Sequence, residues 1–346
     1  MSLDEFYLIM TYVLAGILGL CVGSFLNVLI YRLPRSMNIA VPGSHCPDCG
    51  YALKWYDNIP VLSYIILRGR CRSCGGRISP RYTVVEVLTC LLWLACVWRF
   101  YDAGIGMVIV ACVAVSALTV VFFADMETMT IPDSMTVGIA LCGIAAAVLE
   151  YFGMGDGIGW LERLIGGVAG FVFFALFYFG YLFLHKKEGL GFGDVKLMGA
   201  AGLLLGWRNL LFCVILSSIL ALICVQIIRF VQGRRKKREE KRRLKAEAAR
   251  PAEQPAADDR ACASEEACGG GAAAAEGFPD ECLGKEASVA SPEEGGAPTQ
   301  ESADTEDEDG TPEGAFPFAP YLAVGTAFSF FFADGLIAWY LALLGL

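Results

Sequence analysis

The chain has 346 residues, of which 56% are hydrophobic and 18% charged, and its mean hydropathy is +0.54. Because the apolar residues come in long runs, this composition excludes an ordinary soluble domain and indicates a polytopic helical membrane protein. The formal net charge of −9 arises in residues 246–315, which hold 19 acidic and 3 basic side chains. Without that segment's charge of −16, the rest of the chain carries +7.

The first apolar run, residues 6–31, predicts a retained transmembrane helix. The run is longer than the roughly 7–15 apolar residues of a signal peptide, and acidic residues precede it. The polar segment 32–82 follows and contains two Cys-x-x-Cys pairs. We predict that this segment forms a small cytoplasmic domain.

Seven further apolar segments predict helices, so the expected fold is all-α with about eight transmembrane helices. These segments lie at about 84–100, 105–124, 135–152, 161–184, 195–206, 210–231 and 321–346. The segment 195–206 spans only about 18 Å as a helix, which is less than the membrane core. We therefore expect it to be tilted, partly re-entrant or longer than the apolar run indicates.

These segments divide the chain into five parts. They are a first transmembrane helix (1–31), the cytoplasmic domain (32–82), a transmembrane core (83–232), an insert (233–315) and a last transmembrane helix (316–346). The insert is basic and then acidic, with few large apolar residues, which predicts disorder. Its basic start suits the anionic cytoplasmic leaflet, and its place beside a membrane helix argues against a nucleic-acid partner.

The basic residues predict the orientation. Eight Lys and Arg residues lie in 32–81 and nine in 234–245, whereas the loops between the other helix ends hold only Arg99, Arg163 and Arg208. Eight crossings with the N-terminus outside place every strongly basic segment in the cytoplasm, as the positive-inside rule requires.

The same orientation places Asp125 and Asp194 at the cytoplasmic face, and we predict that they form a catalytic pair. Two carboxylates that approach closely share a proton, so one can take a proton from water while the other polarises a peptide carbonyl. Two structural alternatives remain open. In the first, Asp194 forms a salt bridge with Lys196 or Lys187. In the second, Asp125 caps a helix end.

Four neighbouring residues are candidates for support of this pair. Gly191 and Gly193 let the backbone and a substrate approach closely. Glu127 is expected to tune the first aspartate or to contact substrate. Asp133 follows a proline, and helix capping is its favoured role.

The second chemical signal is a set of four cysteines in two Cys-x-x-Cys pairs, separated by 21 residues. Two such pairs suit tetrahedral zinc, and four protein sulfurs leave no position open for substrate. The predicted ligands are Cys46, Cys49, Cys71 and Cys74. We therefore expect a structural zinc-ribbon-like site, with His45 as a neighbour of the ligands.

With these residues assembled, the sequence resembles the type IV prepilin leader peptidases, which also process pseudopilins. The resemblance covers nearly the whole chain outside about 233–315. Asp125 with Ile131-Pro132-Asp133 resembles the first catalytic motif, and Gly191-Phe192-Gly193-Asp194 resembles the Gly-x-Gly-Asp motif of these intramembrane aspartic proteases. The other matching stretches are 23–34, 46–49, 55–63, 68–71, 81–86 and 316–320.

The resemblance implies a bacterial inner-membrane aspartic endopeptidase that removes the short basic leader of prepilins or pseudopilins at the cytoplasmic face. It also implies N-methylation of the new N-terminal residue from S-adenosylmethionine, by residues that the sequence does not identify. The expected partners are these substrates and the lipid bilayer. One rival is an archaeal preflagellin peptidase, which typically lacks the zinc segment. The other is a non-enzymatic transporter or assembly scaffold whose aspartates bind ions or partner helices.

Overall fold

The computed structural model describes residues 2–185, 191–248 and 318–343. Within these ranges the chain is helical, with two short 3-10 turns and no strand beyond two isolated bridges. The helices are α1 (Leu3–Arg32), α2 (Leu62–Ile66), α3 (Arg81–Phe100), α4 (Ile105–Thr128), α5 (Asp133–Tyr151), α6 (Trp160–His185), α7 (Phe192–Ala248) and α8 (Ala319–Leu343). The predicted all-α class is confirmed.

Seven of the described helices, all except α2, are long and apolar enough to cross a membrane. The candidate membrane-spanning part of α7, Phe192–Arg242, is 51 residues long and would extend about 77 Å if straight, although its residues from Arg234 onward are charged. It is broken at Gly206, where φ is 77° and ψ is 165°. The two predicted segments 195–206 and 210–231 therefore lie on either side of this break, which reconciles eight predicted crossings with seven named helices.

The chain reverses its direction at the Gly206 break. A Cβ atom built on Gly170 of α6 would lie 2.7 Å from the Met198 carbonyl oxygen and 3.0 Å from Leu210 Cδ2. Met198 before the break and Leu210 after it thus both lie beside the same residue of α6, as a reversal of the chain requires. The part of α7 after the break runs antiparallel to α8, because Asn209 bonds Asp334 and a backbone oxygen further along α7 lies close to Gly325.

Helix α4 forms the centre of the bundle. In the 18-residue apolar stretch of α4, 72% of the residues are buried inside the protein, whereas only 11% are buried in the corresponding stretch of α6. Helix α4 packs against α1, α3, α5 and α8. Its sequence from Ile105 onward is small or apolar and carries no charge before Asp125, which suits complete enclosure by protein.

Helices α1 and α3 pack closely through small residues. A Cβ atom on Gly23 would lie 2.7 Å from the Glu86 Cα atom, so a side chain there would force the helices apart. One turn later, the Asn27 amide donates hydrogen bonds to the carbonyl oxygens of Gly23 and Tyr82, at 3.2 Å and 3.1 Å. This contact joins the first helix to the helix that follows the Cys-x-x-Cys segment.

Residues 233–248 differ from the expected disorder of the insert, because α7 continues through them to Ala248. The physical reason is local. Lys, Arg and Glu are good helix formers, and Glu239 and Glu240 lie three or four residues from basic residues on the same helix. The acidic remainder of the insert, from residue 249, lies outside the described residues.

Candidate active site

The two aspartates of the predicted pair lie at the same end of the bundle. Asp125 is in the last turn of α4, and Asp194 is in the first turn of α7. Both are buried, with 5% and 7% of their surface exposed, and they are close enough to interact electrostatically. Asp125 Oδ2 and Asp194 Oδ1 are buried without any hydrogen-bond partner among the described residues. The structure thus places two carboxyl groups at one end of the bundle, and neither forms an ion pair with a side chain of the described residues.

The glycines before Asp194 allow a close approach between α7 and the loop that follows α4. A Cβ atom on Gly193 would lie 3.2 Å from Ile131 Cβ, which is tighter than ordinary contact. The Gly191 carbonyl accepts the Asp194 backbone N–H at 3.0 Å and so forms the turn that starts the helix. At the other side of the contact, α4 ends at Thr128, and the C-cap residue Met129 has a left-handed φ of 50°.

Two of the alternative roles suggested for the aspartates, a pair of Asp194 with Lys196 and a helix cap at Asp125, do not fit this geometry. Lys196 Nζ lies 2.8 Å from Asp133 Oδ1, so this lysine bonds Asp133 rather than Asp194. Lys187 lies outside the described residues. Asp125 sits at a helix C-terminus, where the dipole disfavours a carboxylate and where a carboxylate cannot cap free N–H groups.

The capping role favoured for Asp133 is wrong. The residue at the N-cap of α5 is Pro132, and no side chain caps this helix. Asp133 is instead the first helical residue, where its charge suits the helix dipole. Its ion pair with Lys196 connects α5 to the first turn of α7, two residues after Asp194.

Glu127 forms ion pairs with two arginines from the N-terminal part of the chain. Arg81, at the start of α3, pairs directly with Glu127, and Arg35 Nη1 lies 3.9 Å away from the same carboxylate. Sequence reasoning did not assign these partners, although Arg81 stands in a stretch that carries the family resemblance. The two ion pairs join the end of α4 to the start of α3 and to the segment that follows α1.

The four predicted zinc ligands converge in the segment between α1 and α3. All four sulfur atoms lie within 4.8 Å of one another, and the Sγ atoms of Cys46 and Cys74 are 3.9 Å apart. Four sulfurs around tetrahedral zinc, with Zn–S bonds of about 2.3 Å, lie about 3.8 Å apart. The donor set and its spacing therefore fit a zinc ion, and His45 is not part of the cluster.

Two similar turns build this cluster. In the first turn the Gly50 N–H donates to the Cys46 carbonyl at 2.9 Å, and in the second the Gly75 N–H donates to the Cys71 carbonyl at 3.0 Å. Both glycines have φ of 70°, a conformation that favours glycine. The backbone N–H groups of Cys74 and Ser73 lower the pKa of the Cys71 thiol to about 7, which favours the thiolate that metal requires.

Two families match the chain, and together they cover the segments just described. The bacterial peptidase A24 N-terminal domain matches residues 17–100, and the type IV leader peptidase family matches residues 112–226. A prepilin leader peptidase/N-methyltransferase of Neisseria gonorrhoeae is 34% identical over 249 residues, which are 64% of this chain and 83% of that protein. The chain belongs to the type IV leader peptidase family.

Other relatives with the same name agree with this assignment. The protein of Myxococcus xanthus is 43% identical over 205 residues, so the match spans 58% of each chain. The protein of Aeromonas hydrophila is 35% identical over 60% of this chain and 77% of its own length. No solved structure gives a significant match. The predicted family and enzyme class are confirmed, and this family member is a multi-pass bacterial inner-membrane protein.

The family's N-terminal region also contains a small groove between α1 and the polar segment. The groove has a volume of about 360 Å³, in the range of small-molecule sites. It is lined by one face of α1 from Cys21 to Arg32, by residues in 39–44, and by Asn58 and Pro60. The Arg32 guanidinium is held by three backbone carbonyls, of Asn38, Ile39 and Pro42, and fixes the wall of the groove.

Proposed function

We propose that this leader peptidase removes the short leader of type IV prepilins or pseudopilins and then methylates the new N-terminal residue. The observation that carries the peptidase proposal is the pair of buried aspartates with unpartnered oxygens, at adjoining ends of α4 and α7. A buried carboxyl without a partner is costly and signals function in a membrane protein. The names of the relatives supply the substrate class and the second activity.

The proposed hydrolysis uses the two carboxyl groups of Asp125 and Asp194 as base and acid. Neighbouring buried carboxylates are most stable with one proton between them. The ionised group takes a proton from water while the water oxygen attacks the scissile carbonyl carbon. At the same time the protonated group gives its proton to the carbonyl oxygen. Collapse of the tetrahedral intermediate then breaks the C–N bond: the carboxyl that took the water proton gives it to the departing amine, and the other carboxyl takes back a proton from a hydroxyl of the intermediate.

The orientation proposed for the protein places this chemistry at the cytoplasmic face. Asp125 and Asp194 lie at the bundle end where α1 finishes and α3 begins, beside the basic segment that carries the four clustered cysteines. Positively charged segments remain on the cytoplasmic side. The basic leaders of prepilins inserted in the membrane would lie at the same face. The anionic leaflet there would also attract the basic residues of α7 beyond Gly233.

The proposed methyl transfer is assigned to the N-terminal region. The groove beside α1 fits a small ligand in size, and the hydroxyls of Ser24 and Ser44 and the amide of Asn58 would hold S-adenosylmethionine. When bound, that cofactor supplies an electrophilic methyl group. A binding measurement tests this assignment: Asn58→Ala should weaken S-adenosylmethionine binding by calorimetry, and unchanged affinity would remove the groove from the proposal.

The zinc ion is proposed to be structural. Cys46→Ser and Cys71→Ser should each lower the zinc content of the purified protein and lower the unfolding temperature of the cytoplasmic segment. Unchanged zinc content in both variants would contradict the ligand assignment. Cys21→Ser is a matched control, because this cysteine lies on α1 outside the cluster.

The peptidase proposal is tested with membranes that contain the protein and a prepilin with a short basic leader. Mass spectrometry of the product, with and without S-adenosylmethionine, reports leader loss and methyl addition separately. Asp125→Asn and Asp194→Asn should each abolish leader loss, whereas Asp102→Asn, at an exposed site at the other end of α3, should not. A transporter or scaffold would leave the prepilin uncut in every sample.

A further inference from the structure

Thr136 of α5 differs from most buried hydroxyl residues of the described helices. The usual hydroxyl donates to the carbonyl four residues earlier in its own helix, as in Thr89, Ser116, Thr119, Ser217 and Thr326. The Thr136 hydroxyl makes no such bond, although the residue is only 6% exposed. The carbonyl four residues earlier, that of Pro132, accepts the backbone N–H groups of Met135 and Thr136 but not this hydroxyl. The hydroxyl is therefore buried and has no partner among the described residues.

Thr136 begins the buried stripe of α5 that continues through Ile139, Gly143 and Ala146. A Cβ atom on Gly143 would lie 2.6 Å from the carbonyl carbon of Leu203, so this stripe packs directly on α7.

The first turns of α5 and α7 are joined by the ion pair of Asp133 and Lys196, and both helices run away from that end. Thr136 on α5 and Lys196 on α7 each lie seven residues before the contact of Gly143 with Leu203. Thr136 is therefore level with Lys196 along the two helices. That level is two residues, or about 3 Å along the axis, from Asp194.

Three buried oxygens without partners thus come from three helices that meet at one end of the bundle. They are Asp125 Oδ2 on α4, Thr136 Oγ1 on α5 and Asp194 Oδ1 on α7. The other two unpartnered atoms in the described residues, on Arg81 and Ser329, belong to α3 and α8. A buried water typically makes about three hydrogen bonds to polar groups that otherwise lack partners.

We propose that Thr136 is the third group that holds the hydrolytic water, a role that rests on the proposed peptidase function. The water donates one hydrogen to the ionised carboxylate and the other to Thr136 Oγ1, while the threonine hydroxyl donates to a carboxylate oxygen. This arrangement points a water lone pair towards the scissile carbonyl. Thr136 forms and breaks no covalent bond, and the proton of the attacking water goes to the carboxylate.

The test compares Thr136→Val, which removes the hydroxyl, with Thr136→Ser, which keeps it. Loss of one such preorganised contact should lower kcat for leader cleavage roughly 10²-fold and leave KM unchanged. Thr136→Ser should keep kcat within several-fold of the parent protein. Thr119→Val is the control, because the Thr119 hydroxyl already bonds its own helix and should leave kcat unchanged.

A stability measurement separates this role from simple packing. Valine replaces a hydroxyl that has no protein partner among the described residues, so the unfolding temperature of Thr136→Val should stay the same or rise. Parent-like kcat in Thr136→Val, or equal loss in Thr136→Ser, would overturn the proposal. A fall in unfolding temperature that parallels the loss of kcat would also overturn it. The Asp125→Asn and Asp194→Asn variants report separately on the peptidase function, because their activity does not depend on the role of Thr136.

Discussion

Buried or half-buried acidic side chains occur at both ends of the helical bundle, but their surroundings differ. At the end opposite Asp194, the Asp156 side chain is almost fully buried and pairs with Arg163, and Asp334 bonds both Arg99 and Asn209. At the other end, Asp125 and Asp194 each keep a buried oxygen without a partner among the described residues. Burial alone therefore does not distinguish the proposed catalytic carboxyls from the other acids, whereas the lack of a partner among the described residues does.

The paired acids have an evident structural use. The Arg163 guanidinium bonds the Leu204 carbonyl, which belongs to the last turn of α7 before the Gly206 break, and also bonds Asp156 and the Ile158 carbonyl. A broken helix leaves carbonyl groups unsatisfied, and in a membrane nothing else replaces those bonds. The ion pair thus stabilises the reversal of α7, whereas Asp125 Oδ2 and Asp194 Oδ1, at the other end, form no hydrogen bond with the described residues.

The largest expected effect on stability follows from breaking the buried pair. Arg163→Met leaves the Asp156 carboxylate buried without its partner, which should cost about 3–5 kcal/mol of unfolding free energy. Unfolding in detergent, followed by circular dichroism, measures this loss. Arg208→Met is the control, because its pair with Glu162 is largely exposed. Equal unfolding free energies for Arg163→Met and Arg208→Met would contradict the claim that the buried pair of Asp156 and Arg163 stabilises its end of the bundle.

A smaller effect is expected at the partly exposed cluster of α3, α7 and α8. Asn209→Leu removes the 2.7 Å hydrogen bond to Asp334 but leaves the Arg99 ion pair in place. The expected loss is about 1 kcal/mol in unfolding free energy, since one hydrogen bond is removed and its acceptor keeps a partner. The same unfolding assay measures this loss. A loss as large as that of Arg163→Met would show that the contribution of these polar contacts to stability does not depend on their burial.

The smallest effect on stability is expected at the exposed ion pair of Asp133 and Lys196. Exposed pairs contribute little, so Lys196→Met should change the unfolding temperature by no more than a degree or two. Because this pair joins the start of α5 to the helix of Asp194, leader cleavage should nevertheless fall several-fold. Cleavage at the parent rate would show that the pair does not position the two aspartates.

The features that could be predicted from the sequence are those with local signals. Long apolar runs predicted the helices, two Cys-x-x-Cys pairs predicted the metal cluster, and glycines marked the close approach at Asp194. The ion pairs could not be predicted, because Glu127 and Arg81 or Asp133 and Lys196 are far apart in the chain and meet only after the helices pack. Thr136 was missed for the same reason: its unpartnered hydroxyl depends on the packing of α5 against its neighbours.

The most direct test measures leader cleavage and stability together in Asp125→Asn and Asp194→Asn. The amide keeps the size of each side chain and removes the charge, so both variants should lose leader cleavage while their unfolding temperatures stay the same or rise. Asp156→Asn should show the opposite pattern, with lower stability and cleavage that persists below its unfolding temperature. Substantial cleavage by either Asp125→Asn or Asp194→Asn would contradict the central claim that these two unpartnered carboxyls perform the hydrolysis.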